Sequence, residues 1–370
     1  ETSHILTEVQ EWINIAKTLL DYVLMPAFQS NMAAGSQQPG QATQPPGNHK
    51  NGCIMQPDIR FTSFLFNLHA EDEICLPPYK GSTFRGGFGH AFKKVVCAIR
   101  GKECVECLLK TRCIYSYVFE THPPEDSEIL RKYDKAPHPF IIEPPLEEKR
   151  FYKPGETVSF NLILIGKAND YLPYFIYSFE ELGRIGIGKG KGRYKLGEVN
   201  HDGRVIYNSI DRQLKTFPLK DSPPSPLKLR GDERGVTSDC RLLTLKFLTP
   251  TRIVVNADLV VDLEFHQLIR SLLRRISTLS YFHDGKRLEL DFKGMIQRAQ
   301  DVIVKERDTH WHDWERYSAR QDVRMKMGGI LGSVTFSGDL SEFMPYLLLG
   351  GHLHVGKGTS FGLGKYEILD

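Results

Sequence analysis

The sequence predicts an α+β protein made of two ferredoxin-like halves, each with the element order β-α-β-β-α-β. The main observation is a pattern that occurs twice: a strand, a glycine, a helix opened by Pro-Tyr, a glycine-lysine loop and another strand. Gly166 precedes Pro173 by seven residues in the first copy, and Gly338 precedes Pro345 by seven in the second. Equal spacing and a shared Gly-Lys-Gly favour a duplicated domain over two unrelated loops.

The chain of 370 residues is long enough for two such domains and an appendage. Apolar residues at helical spacing open the chain, and a stretch rich in Gly, Gln, Pro and Asn follows them. The opening helix either docks on a partner or folds back on the chain. The predicted parts are an appended amphipathic helix (1–30), a flexible linker (31–58), a first domain (59–210) with a cysteine-rich insertion (97–150), an inter-domain linker (211–239) and a second domain (240–370).

Local patterns predict the elements of the first half. Phe61–His69 mixes apolar and polar residues as a strand does, and a Pro-rich turn then leads to a helix that Ser82 or Thr83 can cap. Further elements are predicted as a strand at Phe160–Ile165, a helix at Tyr171–Leu182, and a hairpin of Tyr194–Val199 with Val205–Tyr207.

In the second half, apolar residues at helical spacing predict a helix at Phe265–Leu279. The stretch from about 290 to 312 also has a helical pattern, and it leads into a His-Trp-His-Asp-Trp sequence. Further elements are predicted as strands at Leu242–Phe247, about Ser318–Lys326 and Leu331–Ser337, followed by a helix and the glycine-rich stretch Gly350–Gly364.

Charge and composition limit the possible partners. The formal charge is only +3, so any affinity for nucleic acid must come from local basic clusters. No run of about 18 uncharged apolar residues exists, which predicts that nothing spans a membrane. The absence of a recognisable signal peptide and the presence of seven cysteines predict a cytoplasmic protein.

The stretch Gly350–Gly364 can expose backbone N–H groups that bind an anion. It does not fit a nucleotide-binding P-loop. Gly351, Gly356 and Lys357 match the spacing, but Gly358 replaces the hydroxyl residue that would hold Mg²⁺, and a strand follows where a helix is needed.

Four cysteines lie within seventeen residues: Cys97, Cys104, Cys107 and Cys113. One pair has the Cys-x2-Cys spacing of a zinc knuckle, and four thiolates can surround zinc as a tetrahedron. A structural zinc site is therefore predicted in the insertion. An iron–sulfur cluster and metal-free cysteines remain alternatives.

Three stretches resemble one family. Leu76–Phe92 resembles the first-strand-to-first-helix segment of the RAMP superfamily of CRISPR proteins. Tyr171–Tyr177 with its glycine-lysine loop, and Gly350–Gly364, resemble the CRISPR precursor-RNA endoribonucleases within it (Cas family six). The resemblance covers about 58–370. It implies tandem ferredoxin-like domains and metal-independent cleavage of repeat RNA by the substrate's 2′-oxygen, which leaves a 2′,3′-cyclic phosphate and a 5′-hydroxyl.

The resemblance directs the search for catalytic residues to the first helix. His90 is the leading candidate because an imidazole can act as acid or base near neutral pH, and Tyr79 and His354 are further candidates. For His90 the alternative is a capping or packing role, for His354 it is packing or bracing of the loop, and for Tyr79 it is a solvated position beside the basic helix face. The predicted RNA-binding residues are basic and lie beside glycines or on the first helix: Lys80, Arg85, Lys93, Lys94, Lys189, Lys191, Arg193 and Lys357.

The predicted partners are CRISPR repeat RNA and other Cas proteins, and no cofactor is expected for catalysis. Two alternatives to the endoribonuclease share the same motifs. One is a non-catalytic RAMP subunit that binds guide RNA in an effector complex. The other is the RNA-processing module of a CRISPR adaptation complex.

Overall fold

The computed structural model describes residues 57–123, 127, 135–215, 241–318 and 323–369, and it confirms the predicted α+β fold class. The appended helix predicted at 1–30 lies outside the described residues, as do nearly all of the linker predicted at 31–58 and most of the one predicted at 211–239. None of the helices described is long and apolar enough to cross a membrane.

The first half forms an antiparallel sheet with strand order β3-β5-β1-β6-β7-β8. A separate short pair joins β2 to β4. Strand β8 extends this sheet into residues that were predicted to be linker. The elements are β1 (Phe61–Ala70), β2 (Ile74–Cys75), α1 (Gly81–Val96), β3 (Phe140–Glu143), β4 (Phe151–Tyr152), β5 (Thr157–Ile165), α2 (Leu172–Ile185), β6 (Tyr194–His201), β7 (Arg204–Asn208) and β8 (Gln213–Leu214).

Helix α1 packs on this sheet through an aromatic core. Phe84, Phe88 and Phe92 recur every four residues and are fully buried, as expected for one face of a helix. The Phe88 ring lies 4.9–5.7 Å, between centroids, from five other phenylalanine rings. A Cβ at Gly87 would lie 2.9 Å from Leu182, so glycine here lets α1 approach α2 closely.

The second half repeats the topology in a sheet of order β12-β15-β9-β16. Both sheets place the strands of the β-α-β-β-α-β unit in the same order, namely second, third, first and fourth. The elements are β9 (Leu242–Thr251), β10 (Val254–Val255), β11 (Asp258–Leu259), α3 (Phe265–Leu279), α4 (Phe292–Arg298), β12 (Ile303–His312), β13 (Glu315–Ser318), β14 (Val323–Lys326), β15 (Gly329–Ser337), α5 (Met344–Leu353) and β16 (Tyr366–Leu369).

The helix predicted from about 290 to 312 is wrong over most of its length. Only Phe292–Arg298 and one short turn are helical, and Ile303–His312 is the edge strand β12. Exposed His310 and His312 alternate with half-buried Thr309 and Trp311, which is the two-residue period of a strand. The single strand predicted at about Ser318–Lys326 is instead the hairpin of β13 and β14.

The two halves share a packed boundary. Ile141, Ile163 and Ile165 lie on the first sheet, yet they belong to the hydrophobic core of the second half. At the same boundary, the buried carboxylate of Glu143 on β3 contacts His354, which follows α5. The boundary brings the start of α1 against the glycine-rich loop 355–364.

Candidate active site

Helix α1 presents a row of residues, here called the α1 ridge, in which Gly86, His90 and Lys94 are exposed and Lys93 is half-buried. Their spacing of three to four residues places them on neighbouring turns of one side of the helix. His90 is exposed, and a Cβ built on Gly86 would meet nothing within 4 Å. The space beside the imidazole is therefore open to a substrate.

The two lysines of the ridge differ in their partners. The Lys94 ammonium lies 2.5 Å from Glu181, so a carboxylate already balances its charge. The Lys93 ammonium lies 5.5 Å from the centre of the Tyr115 ring and has no ion pair among the described residues. Lys93 therefore brings an uncompensated positive charge within one turn of His90.

His354 lies in a different environment, which we call the junction: Tyr79, Arg85, Glu143, His354 and Phe361. The His354 side chain is fully buried. Its Nδ1 lies 3.0 Å from the Leu363 carbonyl oxygen and its Nε2 lies 2.8 Å from Glu143 Oε1. Both ring nitrogens have partners and solvent is excluded, which favours the packing role that was the alternative to catalysis.

Glu143 holds this buried network together. Burial would raise the pKa of the carboxyl group, but the hydrogen bond and charge of His354, together with Lys365 at 3.0 Å, outweigh burial and lower it to about 2. Asn161 donates a further hydrogen bond to Oε2 at 3.1 Å. The lowered pKa keeps Glu143 ionised, and both of its oxygens have hydrogen-bond partners, which suits a structural role.

Tyr79 also belongs to the junction rather than to the ridge. Its hydroxyl donates to the Phe361 carbonyl oxygen at 2.8 Å, and burial followed by the Glu143 charge raises its pKa. Nine residues separate Gly81, the first residue of α1, from His90, which is about 14 Å along the helix axis. The three predicted catalytic residues are thus not gathered at one point, and only His90 faces open space.

Two of the predicted RNA-binding residues also point into the protein. Lys80 is fully buried and donates its Nζ to the Glu147 carbonyl oxygen at 2.6 Å, so its ammonium already has a partner inside the protein. Arg85 is half-buried, and its Nε donates to Ser360 Oγ at 2.8 Å.

The second glycine-lysine loop, 355–364, is mainly a packing element. A Cβ at Gly81 would lie 2.0 Å from the Phe361 carbonyl oxygen, so the start of α1 rests directly on the loop. Phe361 and Leu363 are buried, and the Lys357 N–H donates to the Arg252 carbonyl oxygen. Only the tip at 356–358, with exposed Lys357, can face an anion. The expectation that the whole stretch cradles an anion is corrected to this tip.

The first glycine-lysine loop, 186–192, is more open. Lys189 and Lys191 are exposed and have no side-chain partner among the described residues. Arg193 beside them is engaged, because its Nε lies 2.8 Å from Asp72 Oδ2 and its Nη2 lies 3.3 Å from Oδ1. Of the three basic residues predicted here, the two lysines are available to a phosphate.

The four cysteines do not form a metal site. No group of three or more His, Cys, Asp or Glu side chains in the described part of the chain is placed to hold a metal ion. Cys97 instead donates its thiol to the Ile99 carbonyl oxygen at 3.2 Å. Burial raises the pKa of the Cys104 thiol. The residues present do not fit the predicted zinc site.

Sequence reasoning missed two residues of the second half that reach the junction. The Trp314 ring packs against Tyr79 at a tilt of 45°, with 4.6 Å between the ring centroids, and Arg316 on β13 lies over the Phe361 ring at 4.7 Å. The His-Trp-His-Asp-Trp sequence was the available signal. Because 290–312 was predicted to be a helix, nothing indicated that a hairpin would extend from β12 toward α1.

The sequence matches two family models. Residues 245–366 match the model described as CRISPR-associated endoribonuclease Cas6, and residues 59–219 match a model described as an N-terminal domain. A protein of Archaeoglobus fulgidus, named only as uncharacterized, is 24% identical over 305 residues, which are 79% of this chain and 92% of that protein.

Solved structures of similar fold include a partial Cas6-RT-Cas1–Cas2 complex, with a TM-score of 0.51, 16% identity, and coverage of 85% of this chain and 47% of the other. A Cas6 product complex has a TM-score of 0.48, 15% identity, and coverage of 84% and 100%. Thermus thermophilus Cas6 has a TM-score of 0.44, 15% identity, and coverage of 84% and 99%. The likeness to the partial Cas6-RT-Cas1–Cas2 complex shows a shared fold. The match of residues 245–366 to the Cas6 family model confirms the resemblance predicted from the sequence.

Proposed function

We propose that this chain, whose residues 245–366 belong to the CRISPR-associated endoribonuclease family Cas6, cuts CRISPR precursor transcripts within their repeats without a metal ion. The family match supports a role in RNA processing. The observation that carries the proposed chemistry is the α1 ridge, where His90 faces open space beside Gly86 with the Lys93 charge one turn away.

The proposed reaction is an internal transesterification. The 2′-oxygen of the nucleotide before the cut attacks the adjacent phosphorus, and the bond from phosphorus to the 5′-oxygen breaks. The products are a 2′,3′-cyclic phosphate and a 5′-hydroxyl. His90 either accepts the 2′ proton or supplies a proton to the departing 5′-oxygen, and Lys93 stabilises the extra negative charge on the five-coordinate phosphorus.

The RNA backbone is proposed to reach the ridge past the two glycine-lysine loops. Both loops contact the segment 72–85 that leads into α1, since Gly188 lies against Cys75 and Phe361 lies against Gly81. Exposed Lys189 and Lys191 on one loop and Lys357 on the other supply positive charge beside glycines, where a phosphate can approach both side chain and backbone.

The test is cleavage of a repeat RNA in excess EDTA, next to the same RNA with a 2′-deoxy sugar before the cut. We expect the first RNA to be cut, with a cyclic phosphate at the new end, and the second to stay intact. Cutting of the deoxy RNA would contradict attack by the 2′-oxygen. Tight binding without cutting would instead favour a guide-RNA-binding subunit.

A second role is supported by the likeness to the partial Cas6-RT-Cas1–Cas2 complex. In that role the same chain processes RNA as part of an assembly with other Cas proteins. Co-purification of the chain with Cas1 and Cas2 from the same host would support it. Separate elution of the chain, with full cleavage activity, would favour a stand-alone enzyme.

A further inference from the structure

Two arginines from different halves of the protein lie on the same aromatic ring. The Arg85 guanidinium, on α1, is 4.4 Å from the centroid of the Phe361 ring, and the Arg316 guanidinium, on β13, is 4.7 Å from it. Stacking on an aromatic face suits guanidinium groups, but it leaves the N–H donors at their edges in need of acceptors.

The acceptors that the structure supplies are weak and neutral. Arg316 has one described partner, the sulfur of Met325 at 3.4 Å, and its Nε is buried without a partner. Arg85 has the Ser360 hydroxyl and the neutral Nε2 of His138 at 2.9 Å. No carboxylate in the described part of the chain forms an ion pair with either arginine.

Two other arginines have the carboxylate partner that Arg85 and Arg316 lack among the described residues. Arg298 holds both oxygens of Glu342 at 2.7 and 2.9 Å, and Arg193 holds both oxygens of Asp72. In contrast, burial and the nearby charge of Arg316 lower the pKa of Arg85 to about 10, so both groups are still charged at neutral pH and repel each other. Two half-buried cations without an anion are unfavourable, because a buried charge needs a partner.

We propose that Arg85 and Arg316 bind one phosphodiester group of the RNA at the junction, separate from the phosphate that is cut. The edge of one guanidinium can donate hydrogen bonds to two phosphate oxygens. The negative phosphate also balances the positive charge of the two arginines. Tyr79 and Trp314, whose tilted rings have centroids 4.6 Å apart beside Phe361, provide aromatic rings where the adjacent base can stack. The inference rests on the proposed function, since it places a second contact for the same RNA.

The separation of the two phosphate positions follows from the helix. Arg85 and His90 differ by five residues, so they project from α1 in directions about 140° apart. His90 faces the open side, while Arg85 faces Phe361 and the second half of the protein. A phosphate held by the arginine pair is therefore out of reach of His90, and its role is to fix the register of the RNA.

The experiment compares the salt dependence of RNA affinity for wild type, Arg316→Gln, Arg316→Lys and the control Arg298→Gln. We expect Arg316→Gln to flatten the slope of log K against log salt by about 0.7, the value for one phosphate of a single strand. Arg316→Lys keeps the charge and should keep the slope. Arg298→Gln removes an arginine that Glu342 already neutralises, so its slope should equal that of wild type.

Replacing single phosphates by neutral methylphosphonates locates the contact on the RNA. At one position of the RNA, the methylphosphonate should weaken binding to wild type but should not further weaken binding to Arg316→Gln. Equal losses for both proteins at every position, with an unchanged slope, would assign the arginine pair a structural role only and overturn the inference. A wild type that does not bind repeat RNA would instead contradict the proposed function itself, so the two failures are distinguishable.

Discussion

The α1 ridge and the junction share one helix and each contains a histidine predicted to be catalytic, yet they are opposite environments. At the ridge, His90 is exposed beside an open glycine and next to an unpaired lysine charge. At the junction, His354 is fully buried between a carbonyl and the Glu143 carboxylate. The same residue type therefore has access to a substrate in one place and a complete set of internal partners in the other.

The comparison teaches that a histidine next to glycines is not by itself a catalytic signal. Around His90, glycine leaves room that nothing in the described part of the chain fills. Around His354, glycine lets backbone segments pack: a Cβ at Gly364 would lie 1.9 Å from the Val355 carbonyl oxygen. Glycine supplies space in the first case and removes it in the second.

The largest expected effect is on the cleavage rate, and it distinguishes His90 from His354. His90→Ala should lower the single-turnover cleavage rate by about 10²–10⁴, the usual contribution of a general acid or base, while RNA affinity stays the same. His310→Ala, which changes an exposed histidine on β12, is the matched control and should keep the wild-type rate. A His90→Ala enzyme as fast as wild type would remove the distinction between ridge and junction.

His354→Ala should show the reverse pattern. It leaves the Glu143 carboxylate buried without its main partner, so the free energy of unfolding in urea should fall by about 3–5 kcal/mol. Under conditions where the variant stays folded, its cleavage rate should fall far less than that of His90→Ala. A stable His354→Ala protein that has lost activity would show that the junction, not the ridge, holds the chemistry.

Acid should weaken the junction through Glu143. Because its folded pKa of about 2 lies below the reference value of 4.5, its contribution is present above pH 4.5 and is lost as the pH falls toward 2. The contribution is roughly 3 kcal/mol at neutral pH. The stability gap between wild type and Glu143→Gln should therefore be wide near pH 7, narrow below pH 4.5 and close as the pH approaches 2. A gap that does not change with pH would contradict the ion pair.

A smaller effect is expected at the first glycine-lysine loop. Lys189→Ala with Lys191→Ala removes two unpaired charges, so the salt slope of RNA affinity should flatten by about 1.4, or 0.7 for each phosphate contact. Lys286→Ala removes a lysine that Asp58 and Asp284 already neutralise and serves as the control. If the double variant keeps the wild-type slope, this loop does not contact phosphate.

Metal removal is the change for which no effect is expected. The cysteines of the insertion are not placed around a common metal position, so dialysis against EDTA should leave the melting temperature unchanged. Protein never exposed to a nickel column should hold far less than one equivalent of zinc. A loss of stability on chelation, restored by zinc, would return the original prediction of a structural site.

Sequence patterns could predict the duplicated fold because its signals are local. Gly166 and Gly338 each precede by seven residues a proline in the first turn of a helix, and this spacing can be seen in the sequence of both halves. The edge strand β12 escaped prediction because it has few apolar residues, and its two-residue period is carried by polar side chains. The β13–β14 hairpin was missed because its region was predicted as one strand at about Ser318–Lys326.

The candidate site was predictable only in part. The chemistry of His90 and the basic character of the loops can be read from residue type and glycine spacing. The hydrogen-bond partners of Lys80, Arg193 and His354 could not be predicted, because Glu147, Asp72 and Glu143 lie 67 to 211 residues away in the chain. Such long-range contacts determine which predicted residues remain available, and they brought Arg316 to the junction.

The most direct test of the account is the cleavage rate of His90→Ala in EDTA, measured with and without added imidazole. Because His90 is exposed beside Gly86, a free imidazole molecule can enter the vacated space and carry the proton. We predict a slow reaction that imidazole accelerates, whereas His354→Ala gains nothing from it. A wild-type rate in His90→Ala without imidazole would contradict the assignment of the ridge as the reacting site.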